Sequence, residues 1–258
     1  MPAIYGEDLA HIQIAGFGGM AQAVGPQIVA LLHEHGIRGG TIGDVGCGAG
    51  ITTRCFLDAG FDVWALEPSA ALLDAARARA PEATFLPRGS VYDATLPPAD
   101  AIVAIGEPLN YHLPQSDADE RVRRFFAQAA AALRPGGLLA FDVIVRGDGA
   151  LDGRSWAAGE DWAVLVETHE RAHGWLRREI ETFVLRGDAY RRGHETHHVR
   201  VFDRDALGAA LRSTGFDVQT SERWGDYRLA PRRCAFVCRR KAGQETSCRG
   251  TNAAVRSA

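Results

Sequence analysis

A chain of 258 residues with 46% hydrophobic content is long enough to bury a large core, as one large domain or two small ones. Its formal net charge of -3 arises from acids interleaved with arginine pairs at 123-124, 177-178 and 191-192, which excludes the massed basic surface of a nucleic-acid binder. Five cysteines, an odd number, point to reduced thiols, and with no basic leader or bilayer-length apolar run the expectation is a cytoplasmic protein with no membrane partner.

The first helical pattern is "GPQIVALLHEHG", with Pro26 predicted at its start, Ile28, Leu31, Leu32 and His35 on one face, and Gly36 closing it. A strand ending near Asp44 and a glycine-rich turn lead into the helix "ITTRCFLDAG". "FDVWALE" reads as a second strand, after which Ser69 caps the helix "AALLDAARARA" and Pro81 ends it. "ATFL" and "DAIVAIG" give the third and fourth strands. Ser116 is predicted to open a helix with Val122, Phe125, Phe126, Ala129 and Leu133 at helical spacing, and "RPGG" turns the chain into the fifth strand, "LLAFDVIV". Helices alternating with apolar strands predict an α/β doubly wound sheet.

Beyond residue 150 the rhythm changes. "DWAVLVETHE", "GWLRREIETFVLR" and "AYRRGHETHHVRVF" are three extended segments joined by "RAHG" and "GD" turns, which predicts an antiparallel β insertion over 150–202. A helix, "RDALGAALRSTG", and strands near "FDVQTSE" and "CAFVCR" follow. The expected organisation is one domain over 1–240, with a disordered tail over 241–258.

"HETHH" at 194–198 fits the metalloprotease pattern H-E-x-x-H, which needs a helix to bring both imidazoles to one metal. The segment runs into "VRVF" and reads as a strand, where His194 and His198 stand about 13 Å apart. The same distance separates Cys234 from Cys238 in "RRCAFVCRR", so both are read as core thiols and no metal is predicted.

The strongest signal is "TIGDVGCGAG", a strand end, an acid and three alternate glycines ahead of a helix. Bare backbone there admits a ligand closely, and the helix N-terminus offers unpaired N–H groups. Glu67 ends the next strand, where a carboxylate can accept both ribose hydroxyls. A nicotinamide dinucleotide fold is disfavoured, because the sixth position from Gly46 holds Ile51 rather than Gly or Ala.

With Asp44, Gly46, Gly48 and Gly50 in the order D-x-G-x-G-x-G, the sequence resembles the class I S-adenosylmethionine-dependent methyltransferases. "LEPSAALLDAARARAP", "RGSVYDATLPPADAIVAIGE" and "LRPGGLLAFDV" resemble that family's later motifs, so the likeness spans about residues 40 to 145 and weakens toward 240. It implies a Rossmann-like seven-stranded sheet and methyl transfer from S-adenosyl-L-methionine to an O, N or C nucleophile of a small molecule, with S-adenosyl-L-homocysteine as product. It further implies that Asp44 and the glycines hold the methionine part, Glu67 the ribose, and Ser90 and Val91 the adenine, with Gly106 and Glu107 beside them. Ser90 stands where an Asp is common. In similar enzymes the segment before the fold, residues 1–25 here, closes as a lid, which would turn Tyr5, His11 and Phe17 toward the ligands.

Tyr111 and His11 are the candidate catalytic groups, His11 as a base near neutral pH. A half-exposed His11 packed on Phe17 explains the same residue. Asn110, with Glu195 and His197 on one strand face, are candidate acceptor contacts; Glu195 and His197 read equally as cross-strand partners or part of a homodimer surface on the insertion. Two alternatives stay open: an intramolecular cyclisation releasing methylthioadenosine, and a cofactor-binding module without turnover.

Overall fold

Two helices, α1 (Glu7–Gly16) and α2 (Gly19–Glu34), open the chain in a computed structural model that describes residues 4–112 and 117–242. α2 does not start at Pro26, which lies inside it. The turn ahead of the proline is held by packing: Val24 and Gly25 are buried, and a Cβ at Gly25 would stand 3.0 Å from the Cys55 sulfur. That burial offsets the backbone bond a proline forfeits.

The expected alternation follows as β1 (Thr41–Val45), α3 (Ile51–Asp58), β2 (Asp62–Leu66), α4 (Ala70–Arg79), β3 (Thr84–Phe85) and β4 (Ala99–Ala104). A 3-10 turn at Pro108–Asn110 precedes α5 (Ala118–Ala132) and β5 (Leu133–Ile144). Ser116 lies outside the described residues; Asp117 caps α5, accepting the Glu120 N–H at 2.9 Å. β5 begins before "RPGG" rather than after it, through a register shift against β4 between Ala99 and Ala101.

The insertion comprises β6 (Gly153–Ala158), β7 (Trp162–Arg171), β8 (Trp175–Arg186) and β9 (Ala189–Arg200), one strand more than the three expected. The chain then returns through α6 (Arg204–Ser213), β10 (Phe216–Ser221), a short hairpin of β11 (Arg223–Trp224) and β12 (Tyr227–Arg228), and β13 (Arg233–Arg240). "HETHH" lies on β9 as a strand, with His194 Nδ1 2.8 Å from Glu181, and Cys234 and Cys238 are buried free thiols of β13. The tail from 243 onward lies outside the described residues.

Seven strands form one sheet in the order β10-β13-β5-β4-β1-β2-β3, parallel from β3 to β5, with β13 antiparallel to both its neighbours, β5 and the edge strand β10. β5 shows why its sequence is apolar without alternation: Leu139, Phe141 and Val143 pack on one face with Phe125 and Phe126 of α5, while Leu138 and Ala140 face α2. The strand order reverses between β1 and β4, so a crevice opens beyond their carboxyl ends. α1 packs on the insertion, its Leu9 and Ile12 clustering with Trp162, Val164, Ile180 and Val184. No single helix among the described residues is long and apolar enough to cross a membrane.

Candidate functional site at the sheet's switch point

A cavity of about 1120 Å³, its open mouth included, occupies this crevice. Its floor is the loop after β1. The Gly46 and Cys47 N–H groups both donate to the Leu66 carbonyl, at 2.7 and 3.1 Å, which ties the loop to the end of β2. The glycines have separate tasks. Gly48, at φ +56, faces the opening, and a Cβ placed there would meet nothing within 4 Å, whereas a Cβ on Gly50 would lie 2.9 Å from the Ala76 Cα. Gly46 and Gly48 line the cavity; Gly50 does not, and serves the approach of α3 to α4.

Asp44 sits beneath this floor rather than in the wall, 1% exposed. One of its oxygens accepts the Thr52 and Thr53 hydroxyls, at 2.8 and 2.7 Å, so the acid anchors the first turn of α3. Burial pushes its carboxyl up to about 6, against the pull of the two threonines. Glu67 does line the cavity. Its oxygens accept the Gly48 N–H at 2.9 Å and the Ser69 N–H at 2.8 Å, and burial pushes its carboxyl up to about 7 although those two bonds favour the charged form. Ser90 and Val91 complete the far wall, the Ser90 hydroxyl accepting the Tyr92 N–H at 3.3 Å.

At the end of β4, Gly106 lines the cavity and its neighbour Glu107 does not. Both N–H groups donate to Asp142 at 3.0 Å, turning the Glu107 side chain into the protein. There its carboxylate lies 2.6 Å from Arg178 and 3.0 Å from Arg233. Burial raises this carboxyl, and the two guanidinium charges overcome that effect and hold it below the usual range. Arg178 also reaches the Tyr111 hydroxyl at 3.4 Å, and Tyr111 in turn meets the Tyr5 hydroxyl at 3.2 Å. Burial first, then neighbouring negative charge, pushes both phenols above their ordinary range, so they stay protonated at neutral pH.

Tyr5, Phe17 and Tyr111 therefore share the wall with the glycine loop, Phe17 also packing on Trp162 with ring centres 5.9 Å apart. Other candidates stand elsewhere. His11 is outside the wall, its Nε2 2.9 Å from Asp161, because its side of α1 faces the insertion rim. Asn110 is fully buried and is a structural clamp: its amide donates to the Ile144 and Arg200 carbonyls at 3.3 and 2.6 Å and accepts the Ile144 N–H at 3.2 Å. Glu195 accepts the Tyr5 and Gly6 N–H groups and pairs with His197 at 2.8 Å; His197 is 1% exposed behind the rings of Tyr5 and Tyr111. The wall also contains Gln13, Met20, Ile51 and Leu72, which the motifs do not single out, and Arg178 supports it from a strand with no local signature.

Residues 42–137 match a family model described as a methyltransferase domain. No curated protein gives a significant match. Among solved structures, the sugar N-methyltransferase KedS8 of a Streptoalloteichus species is 20% identical at a TM-score of 0.76, over 94% of this chain and 98% of its own. DesVI of Streptomyces venezuelae is 22% identical at 0.75, over 91% and 98%. A SAM-bound amino pentose methyltransferase of Micromonospora echinaspora is 21% identical at 0.73, over 89% and 97%. At these identities the structural likeness is one of fold.

Proposed function

We propose that the chain is a class I S-adenosylmethionine-dependent methyltransferase, on the match of residues 42–137 to a methyltransferase domain, and that the group it methylates is an amine on a small polar acceptor, an aminosugar fitting best. The observation that carries this reading is the chemistry of the wall. Among the described residues it holds no histidine, lysine or aspartate, and its one carboxylate, Glu67, is engaged by two backbone N–H groups. A hydroxyl acceptor needs a base to take its proton early, and neither raised phenol supplies one at neutral pH. A neutral amine attacks without one. The sugar and amino pentose specificities of two structural neighbours support the same choice.

The residues present fit the cofactor, since Gly48 leaves backbone bare and Glu67 turns a buried carboxylate to the same space. S-adenosylmethionine, when bound, supplies an electrophilic methyl group on a sulfonium. In this reading Glu67 holds the ribose hydroxyls, Ser90 and Val91 flank the adenine, and Gly46, Gly48 and Gly106 leave room for the methionine part, while Asp44 acts by fixing the loop. Residues 4–25 act as the lid in this reading, with Tyr5 and Phe17 excluding water and the paired phenols of Tyr5 and Tyr111 orienting the acceptor nitrogen. His11 and Asn110 take no direct part.

Mass-spectrometric analysis of aminosugars beside their hydroxyl analogues tests the choice: methylation confined to the amines is expected, and methylation of the hydroxyl analogues alone contradicts it. Tyr111→Phe should lower kcat/KM for the acceptor about tenfold, one hydrogen bond's worth, with S-adenosylhomocysteine affinity unchanged by calorimetry.

We also propose that the insertion pairs two copies of the chain. Trp156 on the edge strand β6 is 78% exposed beside its cross-strand partner Leu165, 47% exposed, and both signs of charge surround them, including the Arg154–Glu167 pair at 2.8 Å. Sedimentation should give a dimer for the native chain and a monomer for Trp156→Arg; a native monomer contradicts the pairing.

A further inference from the structure

We propose that Glu195 is a positioning residue that latches the N-terminal segment shut over the cavity by gripping the backbone of Tyr5 and Gly6. The latch rests on the reading of this cavity as the methyl-transfer site. The geometry is specific. Glu195 Oε2 accepts the Tyr5 N–H at 2.9 Å and Oε1 accepts the Gly6 N–H at 2.8 Å, across 190 and 189 residues of sequence. Gly6 is the N-cap of α1 and supplies no side-chain cap; a carboxylate from β9 takes the N-cap N–H, the bond that the Glu of a capping box makes from within its own helix. A Cβ on Gly6 would sit 3.2 Å from Oε1, closer than the site allows without a shift.

The opposite side of the same residue is tied to the sheet domain's cofactor edge. The Ser69 hydroxyl donates to the Tyr5 carbonyl at 2.6 Å, and the Ser69 N–H donates to Glu67 at 2.8 Å. Tyr5 is thus clipped between the insertion and Ser69, two residues beyond the proposed ribose acid, with its ring in the cavity wall and its hydroxyl on Tyr111. It is also held at φ +53, a left-handed conformation that side chains other than glycine rarely adopt. Such a conformation persists only while its surroundings impose it, so release of the clip favours departure of the segment. His197, buried behind the Tyr5 and Tyr111 rings, donates from Nε2 to Oε2 at 2.8 Å and fixes the carboxylate's orientation. Glu195 therefore acts on the reaction through Tyr5, without touching either ligand.

Two measurements on the full chain test the latch. In ligand-free protein, hydrogen exchange at the Tyr5 and Gly6 amides should be protected in the native chain and fast in Glu195→Ala, with β7 and β8 unchanged; equal protection overturns the proposal. In stopped-flow experiments, S-adenosylhomocysteine should leave Glu195→Ala about tenfold faster than the native chain and leave Glu195→Gln, which keeps one acceptor oxygen, at an intermediate rate. Arg191→Ala, which removes an exposed pair between Asp8 and the same strand, should change the rate less than twofold. An unchanged rate in Glu195→Ala, or the same acceleration in Arg191→Ala, overturns the latch. Failure of the native chain to bind S-adenosylhomocysteine contradicts the reading of the cavity instead, and the exchange measurement then decides the latch by itself.

Discussion

Glu67→Ala is expected to weaken S-adenosylhomocysteine binding about a hundredfold in calorimetric titrations. In the proposed role the substitution removes the acceptor for two ribose hydroxyls, and it also strands the Gly48 and Ser69 N–H groups, each now within 2.9 Å of a carboxylate oxygen. Ribose hydroxyls buried on binding without a partner cost about 1–3 kcal/mol each, so two of them account for the hundredfold, whereas the two N–H groups are stranded with or without ligand and cost stability instead. The carboxyl's rise to about 7 gives this prediction a pH signature. Ribose needs the ionised form as acceptor, so native affinity should climb as pH rises through about 7, and the dependence should vanish in Glu67→Gln. Stability runs the other way. A carboxyl whose folded pKa lies above its ordinary 4.5 favours the folded state fully below 4.5, and that contribution is lost as pH rises through about 7. A native affinity that is flat between pH 6 and 8 contradicts the role assigned to Glu67.

Glu107→Gln should destabilise the fold by about 3–5 kcal/mol in denaturant titrations, the usual consequence of stripping one partner from a buried ion pair. The side chain keeps its volume and loses its charge, while Arg178 and Arg233 remain largely buried at 2.6 and 3.0 Å from its oxygens. Neither cation can turn to water without abandoning Tyr111 or the end of β4. The variant should accordingly lose acceptor turnover more than cofactor affinity, since Arg178 supports Tyr111 and not the glycine loop. A loss below about 1 kcal/mol would mean that solvent reaches these guanidinium groups, and the account of the Tyr111 side of the cavity would need replacing.

The parts of this protein legible in its sequence are those whose physical cause is local. The βα alternation shows because β5 is apolar on both faces and α5 spaces Val122, Phe125 and Phe126 on one. The glycine loop and Glu67 show because three alternate glycines at a strand end and an acid at the end of the next strand form a pattern within about twenty residues. "GRSWAA" became β6 without an alternating pattern, since its pairing with β7 leaves Trp156 outward, and Pro26 misled because tertiary packing of Val24 and Gly25 outweighs a lost backbone bond. The functions of Asn110, Glu195 and Arg178 were illegible for one reason: each acts on a partner dozens of residues away, through bonds to Arg200, Tyr5 and Glu107 that no local spacing encodes. His11 illustrates the converse, a residue of suggestive chemistry whose direction on α1 is set by Asp161 of the insertion.

A crystal structure grown with saturating S-adenosylhomocysteine tests the central claim most directly. It should show adenosine in the crevice beyond β1 and β2, both ribose hydroxyls on Glu67, the adenine beside Ser90 and Val91, and homocysteine across Gly46 and Gly48. Ligand seated anywhere else, or no ligand with Glu67 still closed on its two backbone N–H groups, would contradict it.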